Sequence, residues 1–153
     1  MVRAFYKKVK KLSVSERAYI AGIIDGEGSV TLTIKQKGGT RHLAITISNT
    51  DLLLLKYILR VIGAGKLTSK RTYKNHHSPS YIYAIHSRQA LEVLRQILPY
   101  LRTYKKQRAN YAMSHYITVT PRNGKYNKLL HDKKQKFVKN FFAIAPFTTK
   151  AII

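Results

Sequence analysis

Between Tyr19 and Gly28 the chain reads YIAGIIDGEG, an apolar, small-residue run that ends in a carboxylate, Glu27, set between two glycines. Such a run has to be buried along much of its length. Ser13 and Glu16 stand before it at the spacing of a capping box, so the sequence predicts a helix that starts near residue 13 and stops at the glycines. Ala18 and Gly22 lie four residues apart on one face, and Ala21 sits one turn before Asp25, so a second helix could approach with its backbone nearly touching. Gly26 and Gly28 let the chain leave the helix in unusual backbone conformations, and the free carbonyls of a helix C-terminus favour a cation. Glu27 adds a formal charge at that spot. The physical pattern of the ten residues alone fits a buried helix with a glycine cap and a solvated glutamate better than a metal site.

The next segment alternates. Val30, Leu32 and Ile34 fall on one side, and Ser29, Thr31, Thr33, Lys35 and Lys37 on the other, the pattern of a half-buried strand. After a turn at residues 37–40, Leu43, Ile45 and Ile47 point inward and His42, Ala44, Thr46 and Ser48 outward. Asp51 to Ile62 reads as an amphipathic helix with Gly63 past its end and four consecutive leucines as core. A second hairpin is predicted from a strand at Lys66 to Lys74, with Lys66, Thr68 and Lys70 outward, a loop around Asn75 to Ser78, and a Tyr-rich return from Ser80 to Ser87 whose phase the pattern leaves open. Arg88 to Leu98 is a helix stopped by Pro99, and Arg102 to His115 a basic one. A Lys-rich terminal helix spans Asn127 to Phe142, with Leu129, Leu130, Phe137, Val138 and Phe141 as apolar anchors.

Lys and Arg number 29 against 6 acids, a formal charge of +23, so the chain will condense on polyanions through counterion release. Charge alone does not separate a nuclease from a ribosomal protein or an RNA chaperone. The absence of cysteine excludes disulfides and thiolate zinc sites, and the six histidines show no metal-ligand spacing. No apolar stretch approaches the ~20 residues of a spanning helix, and the basic N-terminus lacks the apolar core of a signal peptide. An intracellular protein without membrane contact is expected. With 153 residues and 44% hydrophobic content, one domain over residues 1–153 is expected.

Residues Ile20 to Gly28, IAGIIDGEG, resemble the nine-residue signature of the LAGLIDADG homing endonucleases, with three aliphatic replacements and Glu in place of the usual final Asp. The resemblance runs over residues 13–115, through the first hairpin, Gly63-Ala64-Gly65 and Leu98 to Arg102, and leaves a basic C-terminal extension over about residues 121–153 outside it. The single signature resembles the homodimeric branch. It implies a mixed α/β fold, α-β-β-α-β-β-α, with a curved antiparallel DNA-binding sheet and the signature helix at a homodimer interface of Ala18, Ala21, Gly22 and Asp25, where Asp25 meets the end of the partner helix. Glu27 and the Gly26 carbonyl would bind metal. Lys105 matches the active-site lysine if one residue is inserted after Pro99, with Lys106 as the alternative register. Asn49 matches the residue that positions an active-site water, with Asp51 as competitor.

By the same resemblance the DNA-facing set is Ser29, Thr31, Thr33, Lys35, Lys37, His42, Thr46, Ser48, Lys66, Thr68, Lys70, Tyr81 and Tyr83, with Ile82 and Ala84 in the core. The implied activity is a staggered double-strand cut with 3′ overhangs in a long, partly palindromic target. It depends on Mg²⁺, with Mn²⁺ as a substitute and Ca²⁺ supporting binding without cleavage. Encoding within a mobile intron or intein-like element, in an archaeal cytoplasm or an organelle, is implied too. The rival classes are an RNA-splicing maturase acting on intron RNA and a non-cleaving DNA- or RNA-binding regulator on the same scaffold.

Overall fold

The computed structural model describes residues 7–70 and 78–148. Helix α1 (Val14–Glu27) starts at the expected capping box, in which the Glu16 N–H donates to Ser13 Oγ at 3.2 Å and the Ser13 N–H donates to Glu16 Oε2 at 2.8 Å. It runs straight into β1 (Gly28–Ile34), which pairs with β2 (Arg41–Asn49). Helix α2 (Leu52–Ile62) comes after β2, begun by the Asp51 carboxylate and ended by Gly63 in the left-handed region at φ 78°. Strands β3 (Lys66–Lys70) and β4 (Ser80–His86) complete one antiparallel sheet in the order β1-β2-β4-β3. Helices α3 (Ser87–Ile97), α4 (Tyr104–His115) and α5 (Lys128–Ala143) come next, with 3₁₀ turns at Leu98–Tyr100 and Ile117–Val119. The order of elements is the one the sequence predicts. The expected extension of β3 to Lys74 and the loop from Asn75 fall largely at residues 71–77, outside the described residues.

The helices cover one face of the sheet. Val30, Leu32, Leu43, Ile45, Ile47, Tyr83 and Ile85 point toward them and are all at most 2% exposed. Cross-strand register fixes the opposite face: Ser29 pairs with Thr46, Thr33 with His42, and Thr46 and Ser48 pair with Ala84 and Ile82, which in turn face Lys66 and Thr68. Directly opposed residues share a face, so among the described residues this side is one surface of hydroxyls, histidines and lysines, with Ala44, Ile82 and Ala84 between them and no carboxylate.

Here the tyrosine phase corrects the expectation. Tyr83 is 0% exposed, its Oη donating to the Ala64 carbonyl at 2.7 Å, and Tyr81, two residues earlier, lies on the same helix-covered side. Ile82 and Ala84 take the open face instead. Gly65, at φ 106°, is what admits Tyr83, because a Cβ there would lie 2.6 Å from the ring. The four leucines of α2 are not all core either: Leu55 is buried and Leu53 is 75% exposed, since successive helical residues turn by about 100°. In α5, Leu129 is exposed, and Lys134 is buried together with Phe137 and Phe141.

Arg108 docks the C-terminal extension. From α4 it donates to the Ile144 carbonyl at 2.7 Å and the Val30 carbonyl at 3.0 Å, and its guanidinium lies 5.1 Å from the Phe141 ring centroid. The extension is thus packed on the domain rather than appended to it.

Candidate functional site

The site forms where α1 ends. Gly28 turns the chain from helix to strand, its N–H reaching the Ile23 and Ile24 carbonyls, and a Cβ at this position would lie 2.8 Å from Ile24 Cα. No larger residue fits without moving backbone. The ammonium of Lys105, 7% exposed on α4, donates to the Ile24 and Asp25 carbonyls at 2.8 Å each, holding two of the last carbonyls of α1. Burial lowers its pKa from the ordinary lysine value, and the Asp25 carboxylate opposes that shift. In return, Asp25 accepts from the Arg102 N–H at 2.7 Å, the Thr103 N–H at 3.2 Å and the Thr103 hydroxyl at 2.6 Å, directly before α4. The two helix ends fasten each other.

Glu27 lies beyond this clasp and is exposed. Its Oε2 accepts from Asn49 Nδ2 at 2.5 Å, while Asn49 Oδ1 accepts from the Asp51 N–H at 2.7 Å. The backbone donor fixes which end of the Asn49 amide faces Glu27. Asp51 is itself occupied, since its Oδ1 accepts from the N–H of Leu53 at 2.9 Å and of Leu54 at 3.4 Å as the N-cap of α2. Asn49 therefore touches Glu27 while Asp51 caps α2, and Lys105 rather than Lys106 reaches the end of α1.

Two of the expected interface residues, Ala21 and Asp25, have their contacts within the protomer. Ala21 is 0% exposed inside the protomer's own core, with Ile20 and Ile24, and has no surface to offer a partner. Asp25 is spent on α4 of the same chain. The open stripe of α1 is Ala18, Gly22 and Gly26, which with Tyr19, Ile23 and Glu27 borders a groove of about 490 Å³.

For a cation, the donors here are hard oxygens: one exposed carboxylate and the Gly26 carbonyl, next in line after the two that Lys105 takes. That chemistry suits Mg²⁺. Among the described residues, however, no group of three or more His, Cys, Asp or Glu residues could hold a metal.

The open sheet face carries the other predicted residues except Tyr81 and Tyr83. Ser29 Oγ and Thr46 Oγ1 are 2.6 Å apart, Thr31, Thr33, His42, Ser48, Lys66, Thr68 and Lys70 sit in register beside them, and Lys35 and Lys37 stand exposed past the end of β1. Sequence reasoning passed over His86, which belongs to this face because Ala44 opposes it. Burial lowers the pKa of both His42 and His86, and Lys35 adds to each shift, with Lys134 and His86 adding further to that of His42. Thr103 was missed as well, although a threonine just before a basic helical run is a cap signal.

A sheet with one helix-covered face, a cation-rich open face and one exposed carboxylate, Glu27, at the end of its first helix makes a mixed α/β domain whose open face suits a polyanion. Residues 20–115 match the LAGLIDADG endonuclease family, and the chain belongs to that family of site-specific DNA endonucleases. Among solved structures, the homing endonuclease I-CvuI, in complex with its target in the presence of Ca, is similar at 16% identity over 91% of this chain and 87% of that one, with a TM-score of 0.68. The archaeal intron-encoded homing endonuclease I-Vdi141I, complexed with DNA, is 16% identical over 91% and 89% of the two chains, with a TM-score of 0.57. I-SmaMI, bound to cleaved DNA, matches 95% of this chain with 53% of its own at 18% identity and a TM-score of 0.57. These likenesses concern the fold.

Proposed function

We propose that the chain acts as a homodimeric, Mg²⁺-dependent homing endonuclease that lays its open sheet face along double-stranded DNA and makes a staggered double-strand cut. The observation that carries this reading is the partnership of Glu27 with the open stripe of α1. A Cβ at Gly22 or Gly26 would meet nothing within 4 Å, so the protomer's own packing asks for no glycine there. A second α1 laid against the stripe would. Val14 at 66% and Tyr19 at 51% exposure add apolar surface on the same helix, as a protomer-to-protomer contact requires.

A two-fold axis along that stripe would bring two copies of Glu27 and Gly26 close together and double the oxygen donors. A bound Mg²⁺ would supply Lewis-acid activation of the scissile phosphate and of a water. The chain's own residues do the rest. Glu27 and the Gly26 carbonyl would hold the ion, Asn49 orients the Glu27 carboxylate, and Lys105 keeps the end of α1 in place and would add electrostatic stabilisation there. An exposed glutamate on a surface meant for a polyanion is repulsive unless a cation intervenes, which favours cutting over binding alone. The neighbours' DNA complexes, one with Ca and one with Mg, support a duplex substrate and divalent ions.

Glu27→Gln tests the reading. It should abolish cleavage and leave duplex binding largely intact, whereas equal cutting by the variant would remove Glu27 from the metal site.

A further inference from the structure

On the β4–β3 side of the sheet, a cavity of about 610 Å³ is bordered by Lys7, Lys35, Lys66, Arg88 and Arg122 and, among the described residues, by no carboxylate. These five cations come from the N-terminal segment, the end of β1, the start of β3, the start of α3 and the loop before α5. Five separate parts of the chain converge there, and the like charges raise the energy of the free protein until an anion arrives. His86 and Ser87 line the same cavity where β4 passes into α3. Ser87 has φ 55°, the sole positive φ outside glycine among the described residues, and α3 starts without a side-chain cap and without an acid in its first turn. The unclaimed N–H groups and the helix dipole add to the positive potential.

The geometry points to a phosphate seat: the cavity takes a backbone phosphodiester of the DNA duplex, outside the stretch that carries the scissile bond. The inference rests on the DNA-binding reading above and adds a second anchor to it. Lys35, Lys66 and His86 already belong to the open face or its edge, so a duplex on that face meets the cavity without a change of direction. Lys66 and Ala84 lie in the cross-strand row of Ser29 and His86 in that of Thr31, so the cavity is displaced from Glu27 across the sheet, beyond β2, as well as along it. A phosphate gripped there contributes affinity and register but no sequence information.

The test uses the full-length protein and its variants Arg122→Gln and Lys66→Gln, both at exposed positions, with Lys56→Gln on the exposed side of α2 as control. Binding to a duplex is measured against salt, and contacted phosphates are mapped by ethylation interference. The slope of log K against log salt should flatten by about 0.9 per protomer for each phosphate that a variant no longer neutralises, while the control keeps the wild-type slope. Interference should vanish at one phosphate away from the cut and persist at the cut itself. Unchanged slope and unchanged interference in both variants would overturn the phosphate seat and leave DNA binding standing. Failure of the wild-type protein to bind any duplex would overturn both.

Discussion

Asp25 and Lys105 each hold the helix that carries the other. The Asp25 carboxylate accepts the Arg102 and Thr103 N–H groups ahead of α4, and the Lys105 ammonium on α4 donates to the Ile24 and Asp25 carbonyls at the end of α1. Glu27 stands two residues beyond Asp25, so its position is set by a clasp that is itself two-sided.

Lys105→Met tests the clasp. Removing the ammonium leaves the Ile24 carbonyl with only the Gly28 N–H and the Asp25 carbonyl without its side-chain donor, and the Asp25 carboxylate loses a nearby positive charge. A loss of stability of about 1–3 kcal/mol is expected in chemical denaturation. Cleavage should fall further than stability explains, because the end of α1 positions Glu27. Wild-type stability in the variant would show that the clasp holds nothing.

Asn49→Ala removes the donor that orients Glu27 and leaves the Asp51 cap of α2 in place. Outer partners of metal-ligating carboxylates typically contribute roughly 10–100-fold in metal affinity or activity. The Mg²⁺ concentration that supports half-maximal cutting should rise by a factor in that range, read from a metal titration of the cleavage rate. An unchanged titration would make the Glu27–Asn49 hydrogen bond incidental.

Gly22→Leu addresses the dimer. No atom lies within 4 Å of a Cβ at that position, so the protomer should fold as before, with a small gain in helix propensity. Two apposed copies of α1 should be forced apart. Sedimentation is expected to show a monomer that melts as a folded protein and does not cut DNA, and a persistent dimer would place the interface elsewhere.

His42 and His86 predict the pH dependence of DNA binding. In the free protein burial and Lys35 hold both pKa values below the ordinary histidine value of 6.5, with Lys134 and His86 also acting on His42. A phosphate nearby favours the charged form and raises both. Binding therefore takes up protons, and affinity should increase as pH falls from about 7 to 5.5, by up to about one decade per pH unit for each proton bound. Replacing both histidines with glutamine should flatten the profile.

Lys134 gives a separate pH signature, in stability. Burial pushes its pKa down to about 8 from 10.5, although the Thr120 hydroxyl at 2.6 Å and the Tyr116 ring centroid at 4.7 Å stabilise the charge. Between those values the unfolded chain carries the proton and the folded chain does not, so stability rises with pH across the window. The penalty is fully present below pH 8 and relieved toward 10.5. Relative to Lys134→Met, the wild-type protein should gain up to roughly 3 kcal/mol over that range. A constant difference between the two would show that the lysine keeps its proton throughout.

Much of the fold is legible in the sequence. The first hairpin alternates cleanly, which places Val30, Leu32, Leu43, Ile45 and Ile47 inward and Ser29, Thr31, Thr46 and Ser48 outward, and the register agrees. Strand β4 reads SYIYAIH, apolar or aromatic in both phases, so the pattern carries no phase information. Pairing with β2 decides it, and Tyr83 tolerates burial because its hydroxyl finds the Ala64 carbonyl. The site divides along similar lines. Glu27 announces itself between its glycines, but Asp25 meets partners 77 and 78 residues away in sequence, and Ala21 shares its helix with an open stripe it does not join. Periodicity locates a face; it does not say which chain covers it.

Metal-dependent cutting at Glu27 is tested most directly by exposing a library of long DNA duplexes to the purified wild-type protein and to Glu27→Gln, with Mg²⁺, with Ca²⁺ and with EDTA, and sequencing the cut ends. Double-strand breaks with 3′ overhangs are expected at one site, in Mg²⁺ only and with the wild-type protein only. Breaks that persist in EDTA or in the Glu27→Gln variant, or tight binding with no cuts under any divalent ion, would contradict that role for Glu27.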